Sequence, residues 1–485
     1  MNKLLFCAAF AFAFSLSCAH AAKNVLLILC DDLGPHLSVL GTPGIQTPNI
    51  DKLAQGGMLF ERAYSPAASC SPCRASILTG MAPHSHGIWR NVTSPELNLP
   101  DKEFTRESSR FDKLVGLHED ITTLPEILKA NGYFTAITQK THLSPPWKFP
   151  FEARISAGSA PGQYKAAMQR FFEQAGDRPF FIEANIGPPH RPFRSYLKAN
   201  PEQRLPDADK MHIPAYLPDV PAVREEMREY MADVEIADRI AGTVLSELAK
   251  ARPNEETLVI FSSDQGYGFQ RAKASPYSAG LRIPMIFQGP GVVADKRNAT
   301  LVSLIDLMPT ILDFLGLKIP ATVQGKSLWP LLSGKSQELP GREYLFAEHN
   351  SHGPVPKEFY PSRVVTDGRF YLIENLDPAK SYLLPDDLRL KPIWENESYQ
   401  ATLDSREQFP LPYRLLQELE HDRGALEFYD NQTDPEQILN LVSRPEQEAK
   451  IKEMKQALDT WRQTTGDIQK SVGEFQWRHE PLDNP

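Results

Sequence analysis

Residues 24–32, NVLLILCDD, form an apolar run that ends in two aspartates. A continuous run of this length is typical of a β-strand that is buried on both faces of a sheet. In α/β proteins the carboxyl ends of such strands open onto the edge where ligands bind. The stretch therefore predicts a central strand, with Asp31 and Asp32 at the ligand-binding edge.

Further strand-like segments alternate with helical ones along the chain. The strand-like segments are FTAITQKTH (134–142), PFFIEANIGPPH (179–190) and ETLVIFSSDQG (256–266). A long amphipathic helix is predicted over residues 224–251, between the last two of them. This alternation predicts the fold class: an α/β protein with a large, mostly parallel sheet sandwiched by helices.

The segment after the first strand, TPNIDKLAQGGMLFERAY (47–64), is predicted to be helical. Thr47 can cap the helix, and Pro48 suits its first position. Three apolar side chains fall on one face, at Ile50, Leu53 and Ala54.

The pattern changes near residue 345. SRVVTDGRFYLIEN (362–375) predicts a hairpin around Asp367-Gly368, and residues 444–467 predict a late amphipathic helix. Its apolar face would consist of Ile451, Met454, Leu458 and Trp461. We therefore predict a catalytic domain over residues 22–345 and a smaller C-terminal α+β domain over residues 346–485.

The first 21 residues have the composition of a signal peptide. One lysine precedes a short apolar stretch, and Ala19-His20-Ala21 has the small-x-small form of a cleavage site. A membrane anchor and a lipoprotein cleaved at Cys18 are alternatives, but the apolar part is short for a span. We expect export, with the bacterial periplasm as first choice and a secreted or lysosome-like location as alternatives.

Composition excludes several other classes of protein. The chain has 485 residues and a net charge of -9, with no long basic run, which argues against a nucleic-acid partner. No later apolar run is long enough to span a membrane. Only Cys30, Cys70 and Cys73 remain after the predicted cleavage, too few for a disulfide framework, and no second C-x-x-C completes a zinc site.

Acidic and amide side chains follow two of the predicted strands, where parallel strands would bring them to one sheet edge. Carboxylate and amide oxygens suit a hard divalent cation, calcium or magnesium. A single acid after a strand is more often a helix cap or a turn residue. The set considered is Asp31, Asp32, Asp264 and Gln265.

Basic side chains lie on the predicted loops near the same edge. Singly, each is more often a solvated surface charge. Together with a metal they would form a pocket for a tetrahedral anion, which indicates phosphoryl or sulfuryl chemistry. They are Arg74, Lys140, His142, His190 and Lys273.

CSPCRASILTG (70–80) resembles the sulfatase signature, C-x-P-x-R followed by T-G. Other segments resemble the family in the same order along the chain, and the signature context and YPSR near Tyr360 are most similar to the N-sulfoglucosamine sulfohydrolase (sulfamidase) branch. These segments are NVLLILCDD, TPNIDKLAQGGMLFERAY, QKTH, GPPHRPF, FSSDQG, KASPYSAGLRIP, SLIDLMPTILDFLGL and EFYDNQTDPEQILNL. The resemblance implies an alkaline-phosphatase-like fold.

The resemblance also implies the chemistry. A separate formylglycine-generating or sulfatase-maturating enzyme would oxidise Cys70 to formylglycine, whose hydrate attacks sulfur. Cys73 occupies a position where the family usually has serine or alanine. Calcium, with magnesium as the alternative, would be held by Asp31, Asp32, Asp264 and Gln265.

Roles for the remaining residues follow from the same resemblance. Arg74 and Lys140 would stabilise the charged hydrate, and His142 would be the base for sulfate elimination. Lys273 would hold the sulfate oxygens, and His190 would bind sulfate and protonate the leaving group. Four further residues would contact or border the sugar: Arg191, His349, His352 and Arg363.

Two departures from the family pattern leave the substrate open. Gln265 replaces the more usual asparagine, and acids typical of the sulfamidase branch are missing from IGPPHR and NSHGPVPKEFYPSR. An O-sulfated saccharide, from a glycosaminoglycan or an algal galactan such as carrageenan, thus agrees with the sequence as well as N-sulfoglucosamine does. A phosphomonoester or phosphonate hydrolase and a non-catalytic calcium-dependent glycan-binding protein are the competing functions.

Overall fold

The computed structural model describes residues 23–93, 115–253, 256–354 and 356–467. The predicted signal peptide, residues 1–21, lies outside the described residues. Within the described residues no helix combines the length and the apolar character needed to cross a membrane.

The larger sheet has eight strands. In chain order they are β1 (Asn24–Cys30), β2 (Met58–Tyr64), β3 (Phe134–Thr138), β4 (Ala153–Ile155), β5 (Phe180–Ile186), β6 (Thr257–Ser263), β7 (Arg282–Gln288) and β8 (Lys296–Ser303). Their order across the sheet is β4-β3-β5-β1-β6-β7-β2-β8, and only the pairs that involve β7 are antiparallel. The predicted mostly parallel sheet is therefore confirmed.

Strand β1 lies at the centre of this sheet and is buried along its whole length. Leu26 and Ile28 belong to one apolar core, while Val25, Leu27 and Leu29 belong to the core on the opposite face. Successive side chains of a strand point to opposite faces, so an uninterrupted apolar run requires a layer of helices on each side.

Helices cover both faces of the larger sheet. Those in this part of the chain are Pro48–Gln55, Cys70–Thr79, Pro83–His86, Leu124–Ala130, Pro161–Ala175, Phe193–Ala199, Pro221–Ala251, Ser278–Leu281, Leu307–Leu315 and Trp329–Leu332. The predicted helix over residues 224–251 is thus found, extended by three residues at its start.

One local prediction was wrong. The second half of the 47–64 segment is strand β2, and the helix ends at Gln55, because Gly56 and Gly57 interrupt it. Gly57 has no room for a side chain, since a Cβ there would lie 2.0 Å from the Phe287 carbonyl oxygen. Thr47 also does not cap the helix; its hydroxyl donates to Asp51 Oδ1 at 2.9 Å.

A second, antiparallel sheet follows, with strands β9 (Leu345–His349), β10 (Ser362–Thr366), β11 (Phe370–Asn375) and β12 (Leu426–Asp430). Their order across the sheet is β12-β11-β10-β9. The predicted hairpin joins β10 to β11, and Gly368 takes the left-handed conformation with φ of 92°. The helices here are Asp386–Arg389, Lys391–Trp394, Ser398–Asp404, Pro410–His421 and Glu448–Thr465.

The late helix packs on this second sheet. Met454 and Leu458 are fully buried in its core, and Ile451 and Trp461 are partly buried against it. The predicted apolar face therefore matches the packing face. This arrangement is the smaller C-terminal α+β unit that the sequence predicts, although the boundary at residue 345 stays a prediction.

Hydrogen bonds join the two sheets through one buried polar seam. The Gln270 side chain accepts from Ser398 Oγ at 2.9 Å and donates to Thr402 Oγ1 at 3.0 Å. Tyr277 donates its hydroxyl to Glu427 Oε2 at 2.9 Å. Buried polar groups of the larger-sheet region and of the C-terminal unit therefore satisfy each other's hydrogen bonds.

Candidate active site

The predicted metal ligands lie together at the carboxyl edge of the sheet. Strands β1 and β6 are parallel neighbours, with Cys30 opposite Ser263, so the residues that follow them share one edge. The Asp32 backbone N–H donates to Asp264 Oδ1 at 3.1 Å. Asp32 has a φ of 63°, a left-handed conformation that aspartate tolerates better than most residues.

Cys70 faces this edge from the start of its helix. The helix begins at Cys70 after the extended Ser69 and ends at Gly80, whose φ of 67° is the left-handed conformation that glycine adopts readily. Sγ of Cys70 accepts from Gln265 Nε2 at 3.3 Å. The signature thus places Cys70 at the strand ends and closes its helix with the T-G pair.

The donor set fits a hard divalent cation. Ligand atoms of Asp31, Asp32, Cys70 and His190 all lie within 4.8 Å of one another. Gln265 donates its amide to Asp32 Oδ1 at 2.7 Å, while its Oε1 is buried without a hydrogen-bond partner. A buried oxygen without a donor beside clustered carboxylates is what an oxygen-liganded cation would satisfy.

Arg74 links two of the carboxylates. Its Nε donates to Asp264 Oδ2 at 3.0 Å, and NH2 lies 2.9 Å from the same oxygen and 3.4 Å from Asp31 Oδ1. The side chain is 1% exposed. Charge-assisted contacts of this kind fix the guanidinium in one position next to Cys70.

Lys140 provides a second, more accessible cation. Its Nζ lies 3.0 Å from Asp31 Oδ2, and the side chain is 27% exposed. Asn185 holds the backbone here by donating its amide to the Lys140 carbonyl at 2.9 Å. Burial opposes the charged form, but the Asp31 carboxylate outweighs it and raises the pKa of Lys140.

Lys273 uses all three of its ammonium donors within the protein. Nζ lies 2.7 Å from Asp32 Oδ2, 2.7 Å from Asp387 Oδ2 and 3.2 Å from His190 Nε2. An ammonium group has only three N–H donors. Any further acceptor, such as an anionic ligand, would therefore have to take the place of one of these partners, and the neutral His190 is the weakest of them.

His142 is arranged to accept a proton. Its Nε2 lies 2.9 Å from the Val92 carbonyl oxygen, which only accepts, so Nε2 carries the hydrogen. Its Nδ1 is then a free acceptor, and it is buried without a partner. Burial, followed by the charges of Lys140 and Arg74, lowers the pKa of His142 well below its usual value.

His190 is held in the opposite tautomer. Its Nδ1 donates to the Arg191 carbonyl oxygen at 2.5 Å, and Nε2 accepts from Lys273. Burial and the Lys273 charge lower the pKa of His190. His190 is thus neutral in this arrangement and has to gain a proton at Nε2 before it can act as an acid.

The carboxylates at this edge differ in their affinity for protons. Burial and the neighbouring Asp31 raise the pKa of Asp264 to about 8. For Asp31, burial is outweighed by the charges of Lys140 and Arg74, which hold its pKa well below the usual range. Asp264 is therefore the carboxylate at this edge that holds a proton most readily when no metal is bound.

Two cysteines of the signature have different surroundings. Burial raises the pKa of the Cys70 thiol well above its usual value, so an unmodified thiol there is protonated. Cys73 is packed in the apolar core and donates its Sγ hydrogen to the Ala67 carbonyl at 2.9 Å. Cys73 therefore behaves as a core side chain.

Arg191 and Arg363, which the sequence predicts to contact or border the sugar, are both buried. Arg191 is 2% exposed, and its NH1 lies 2.7 Å from Glu226 Oε1. Arg363 is 0% exposed, and it donates from Nε and NH2 to the two carboxylate oxygens of Asp467 at 2.6 and 2.9 Å. Both guanidinium groups take part in buried ion pairs, and their contacts with the sugar stay predictions.

The two predicted histidines of the C-terminal unit also differ. His352 is close to Cys70: its Nδ1 lies 3.2 Å from Ser69 Oγ, and its Nε2 accepts from the Asn91 amide at 3.1 Å. Burial lowers the pKa of His352 to about 4. His349 is only 2% exposed and lies edge-on to Tyr382, so it is placed behind the site surface.

Sequence reasoning missed two residues at this site. Asp387 contacts Lys273 as described, and the Trp394 ring centroid lies 6.1 Å from that of His190. Both come from the 385–397 segment, which contains the short helices Asp386–Arg389 and Lys391–Trp394 and lies more than 100 residues after Lys273. Only the adjacent acids after Pro385 stood out there, and those are equally typical of a helix start.

Comparisons with known proteins agree with this architecture. The Sulfatase family model matches residues 23–317, and the model for the C-terminal part of N-sulphoglucosamine sulphohydrolase matches residues 269–408. The first covers more than half of the chain. The second begins before β7 and includes Gln270, Ser398 and Thr402, whose hydrogen bonds connect the two parts of the chain.

Individual relatives match over nearly the whole chain. Human N-sulphoglucosamine sulphohydrolase is 28% identical, over 93% of this chain and 92% of its own length. An ulvan-active sulfatase of Formosa agariphila is 26% identical, over 96% and 82%. The structure of BT4656 with its substrate D-glucosamine-2-N,6-O-disulfate shares the fold, with a TM-score of 0.65, 19% identity and coverage of 93% and 99%. The chain therefore belongs to the sulfatase family and is a sulfuric ester hydrolase.

Proposed function

We propose that this protein releases inorganic sulfate from a sulfated saccharide, using a formylglycine formed from Cys70 and a bound calcium ion. The observation that carries the proposal is the position of Cys70. It begins a buried helix, and its Sγ lies beside Gln265 among three carboxylates and three cationic side chains. That is an arrangement for a nucleophile that attacks an anionic group.

Formylglycine, once formed, supplies a hydrated aldehyde with one hydroxyl for attack on sulfur and a second that allows sulfate to leave. Calcium, once bound, supplies positive charge next to the reacting oxygens. The residues proposed to hold it are Asp31, Asp32, Asp264 and Gln265, with magnesium as the alternative ion. The orphaned Oε1 of Gln265 supports this assignment despite its longer side chain.

The cationic residues of the chain position the sulfate and its attacker. Arg74 and Lys140 are proposed to stabilise negative charge at residue 70, since both are fixed by carboxylates that face it. Lys273 is proposed to bind a sulfate oxygen by releasing His190. Fixed cations in a site of low exposure stabilise developing charge without reorganising.

The two histidines are proposed to move protons in opposite directions. His142 accepts one at its free Nδ1 during sulfate release. His190 is neutral at rest, and a negatively charged sulfate group near Nε2 favours its protonation. It can then donate that proton to the oxygen or nitrogen of the departing sugar.

The names of the relatives support a saccharide substrate. One relative is a sulfohydrolase of N-sulfoglucosamine, another acts on ulvan, and a structural neighbour binds a disulfated glucosamine. We propose a sulfated glycosaminoglycan or algal polysaccharide, with O-sulfate and N-sulfate both as candidates. Export, maturation of Cys70 by a separate enzyme and a location outside the cytoplasm complete the proposal.

The direct test is a screen for released sulfate by ion chromatography. Matured protein would be incubated with defined heparan, chondroitin, carrageenan and ulvan oligosaccharides, and with 4-nitrophenyl sulfate and 4-nitrophenyl phosphate. We expect sulfate from one saccharide class. Turnover of the phosphate alone would favour the hydrolase alternative, and saccharide binding without any turnover by protein carrying formylglycine would favour the glycan-binding alternative.

A further inference from the structure

The 385–397 segment brings two side chains of the C-terminal unit to the active site. Asp387 reaches Lys273, with 2.7 Å between Oδ2 and Nζ. Trp394 places its ring 6.1 Å from that of His190, with an angle of 64° between the planes. These two partners are the residues proposed to hold sulfate and to protonate the sugar, so the segment borders the place where the sugar must lie.

One oxygen of Asp387 has no partner. Oδ2 is bound by Lys273, whereas Oδ1 is buried and accepts no hydrogen bond from the described residues. Burial alone would raise the pKa of Asp387, but Lys273 outweighs it and lowers the pKa, so the carboxylate is charged. A buried charged oxygen without a donor is costly unless a ligand or water supplies one.

Trp394 offers a different kind of surface. Its indole is half-buried next to His190, at the end of the single-turn helix Lys391–Trp394. A rigid aromatic face of this kind suits the C–H face of a pyranose ring, since apolar contact and polar edges are then both satisfied. The neighbouring Ile393 is 67% exposed, and the structure shows no contact between its side chain and His190 or Lys273.

The segment is held rigidly to the catalytic sheet. Glu226 accepts from the backbone N–H groups of Glu397 and Ser398 at 3.1 and 2.8 Å. The same carboxylate pairs with Arg191, the residue after His190. Asp387 and Trp394 are therefore fixed relative to His190 before any ligand arrives, as a preformed binding site requires.

We infer that Asp387 and Trp394 form a sugar subsite that accepts a pyranose with a free hydroxyl or amine next to the sulfated position. This inference rests on the proposed function. The donor group binds Oδ1 of Asp387 while the ring packs on Trp394. A sugar with a second sulfate or a carboxylate at that position is excluded, because an anion has no hydrogen to donate and is repelled by the carboxylate.

The test compares matched variants of the matured enzyme. Asp387→Asn and Trp394→Ala alter the subsite, while Asp386→Asn and Ile393→Ala are neighbouring controls; the Asp386 side chain is 56% exposed. Sulfate release would be measured on the saccharide that the wild-type enzyme desulfates, and 4-nitrophenyl sulfate would report reaction without a sugar. Thermal unfolding would verify that all four variants fold.

We expect each subsite variant to lose about ten- to one-hundredfold in kcat/KM on the saccharide, mostly through KM, and much less on 4-nitrophenyl sulfate. A second saccharide would carry an additional sulfate at the position next to the sulfate that is released. Asp387→Asn should lower the ratio of kcat/KM for the first saccharide to kcat/KM for this analogue. The controls should match the wild type on both substrates.

Equal losses on both substrates would overturn the inference, because they would mean that Asp387 acts only through Lys273. Wild-type behaviour of both subsite variants would overturn it as well. If the wild-type enzyme turns over no aryl sulfate, the affinity of inactive Cys70→Ala protein for the saccharide would be measured in its place. The inference requires this affinity to fall when Asp387→Asn is added. If wild-type protein that carries formylglycine released sulfate from none of the substrates, the proposed function itself would be refuted.

Discussion

Two buried arginine–aspartate pairs occupy different parts of this molecule. Arg74 and Asp264 meet at the strand ends, and Arg363 and Asp467 meet under the C-terminal sheet, each with a contact of 2.9 Å or less. The Asp264 pKa is raised to about 8 by burial and Asp31, whereas the hydrogen bonds and charge of Arg363 outweigh burial and lower the Asp467 pKa to about 2.

The difference lies in what surrounds each pair. Asp467 also accepts from Arg462 Nε at 3.0 Å, so its carboxylate faces two guanidinium groups. Asp264 shares its single arginine with Asp31 and lies beside Asp32. Burial and pairing are alike in the two cases, and what differs is the number of carboxylates around each arginine, since several carboxylates close together are typical of a ligand-binding site.

The largest expected effect comes from Cys70, which lies beside the Arg74–Asp264 pair. Cys70→Ala should lower sulfate release by about 10⁴-fold or more, because the nucleophile is removed. Cys73→Ser is the matched control and should stay active, since Cys73 contacts only the core. Mass spectrometry of the peptide 69–80 should find the aldehyde at Cys70 in active protein; activity with both thiols unmodified would refute this.

Asp264→Ala should remove calcium binding and activity together. A lost ligand is expected to cost more than about 100-fold in metal affinity, measured by calorimetry on chelator-treated protein. Asp467→Ala, its counterpart in the second pair, should bind calcium as the wild type does. Full activity of Asp264→Ala after removal of calcium would contradict the metal assignment and erase the distinction between the pairs.

The Arg363–Asp467 pair, which is not expected to affect calcium binding, should instead contribute to the stability of the fold. Asp467→Ala leaves Arg363 buried without its carboxylate, which is expected to cost about 3–5 kcal/mol in the free energy of unfolding. Asp459→Ala, on the exposed side of the same late helix, should cost less than about 1 kcal/mol. Urea unfolding would measure both. A small loss for Asp467→Ala would mean that the second pair is not structural.

The pH dependence of the two pairs should have opposite signs. Asp264 holds its proton more tightly when folded, so its contribution to stability falls as pH rises from about 4 to 8 in metal-free protein. Asp467 holds its proton less tightly, so its contribution is lost as pH falls from about 4 to 2. Unfolding of chelator-treated Asp264→Asn should have a flatter slope between pH 5 and 8; an unchanged slope would contradict the assignment.

The strand-end part of the site was predictable because periodicity and topology suffice for it. An apolar run such as 25–30 predicts a central strand, and parallel strands bring Asp31 and Asp264 to one edge whatever the loops do. The helix from Cys70 follows in the same way from its local sequence. Strand β2 was missed because its apolar residues continue the pattern of the preceding helix.

Contacts between distant segments were not predictable in this way. Asp387 contacts Lys273 although the two are more than 100 residues apart, and no local pattern encodes that contact. The buried pair of Arg363 was not predictable either, because its carboxylate partner, Asp467, is 104 residues away along the chain. Both outcomes depend on tertiary packing that overrides local sequence.

The polar seam between the two sheets bears on how such enzymes can diversify. Exchange of the C-terminal part between two relatives at residue 345 would separate Gln270 from Ser398 and Thr402, and Tyr277 from Glu427. Each broken contact leaves a buried polar group without its partner. Recombination at the apparent border between the sheets should therefore cost stability, so Gln270 and Tyr277 are expected to be inherited together with the second sheet.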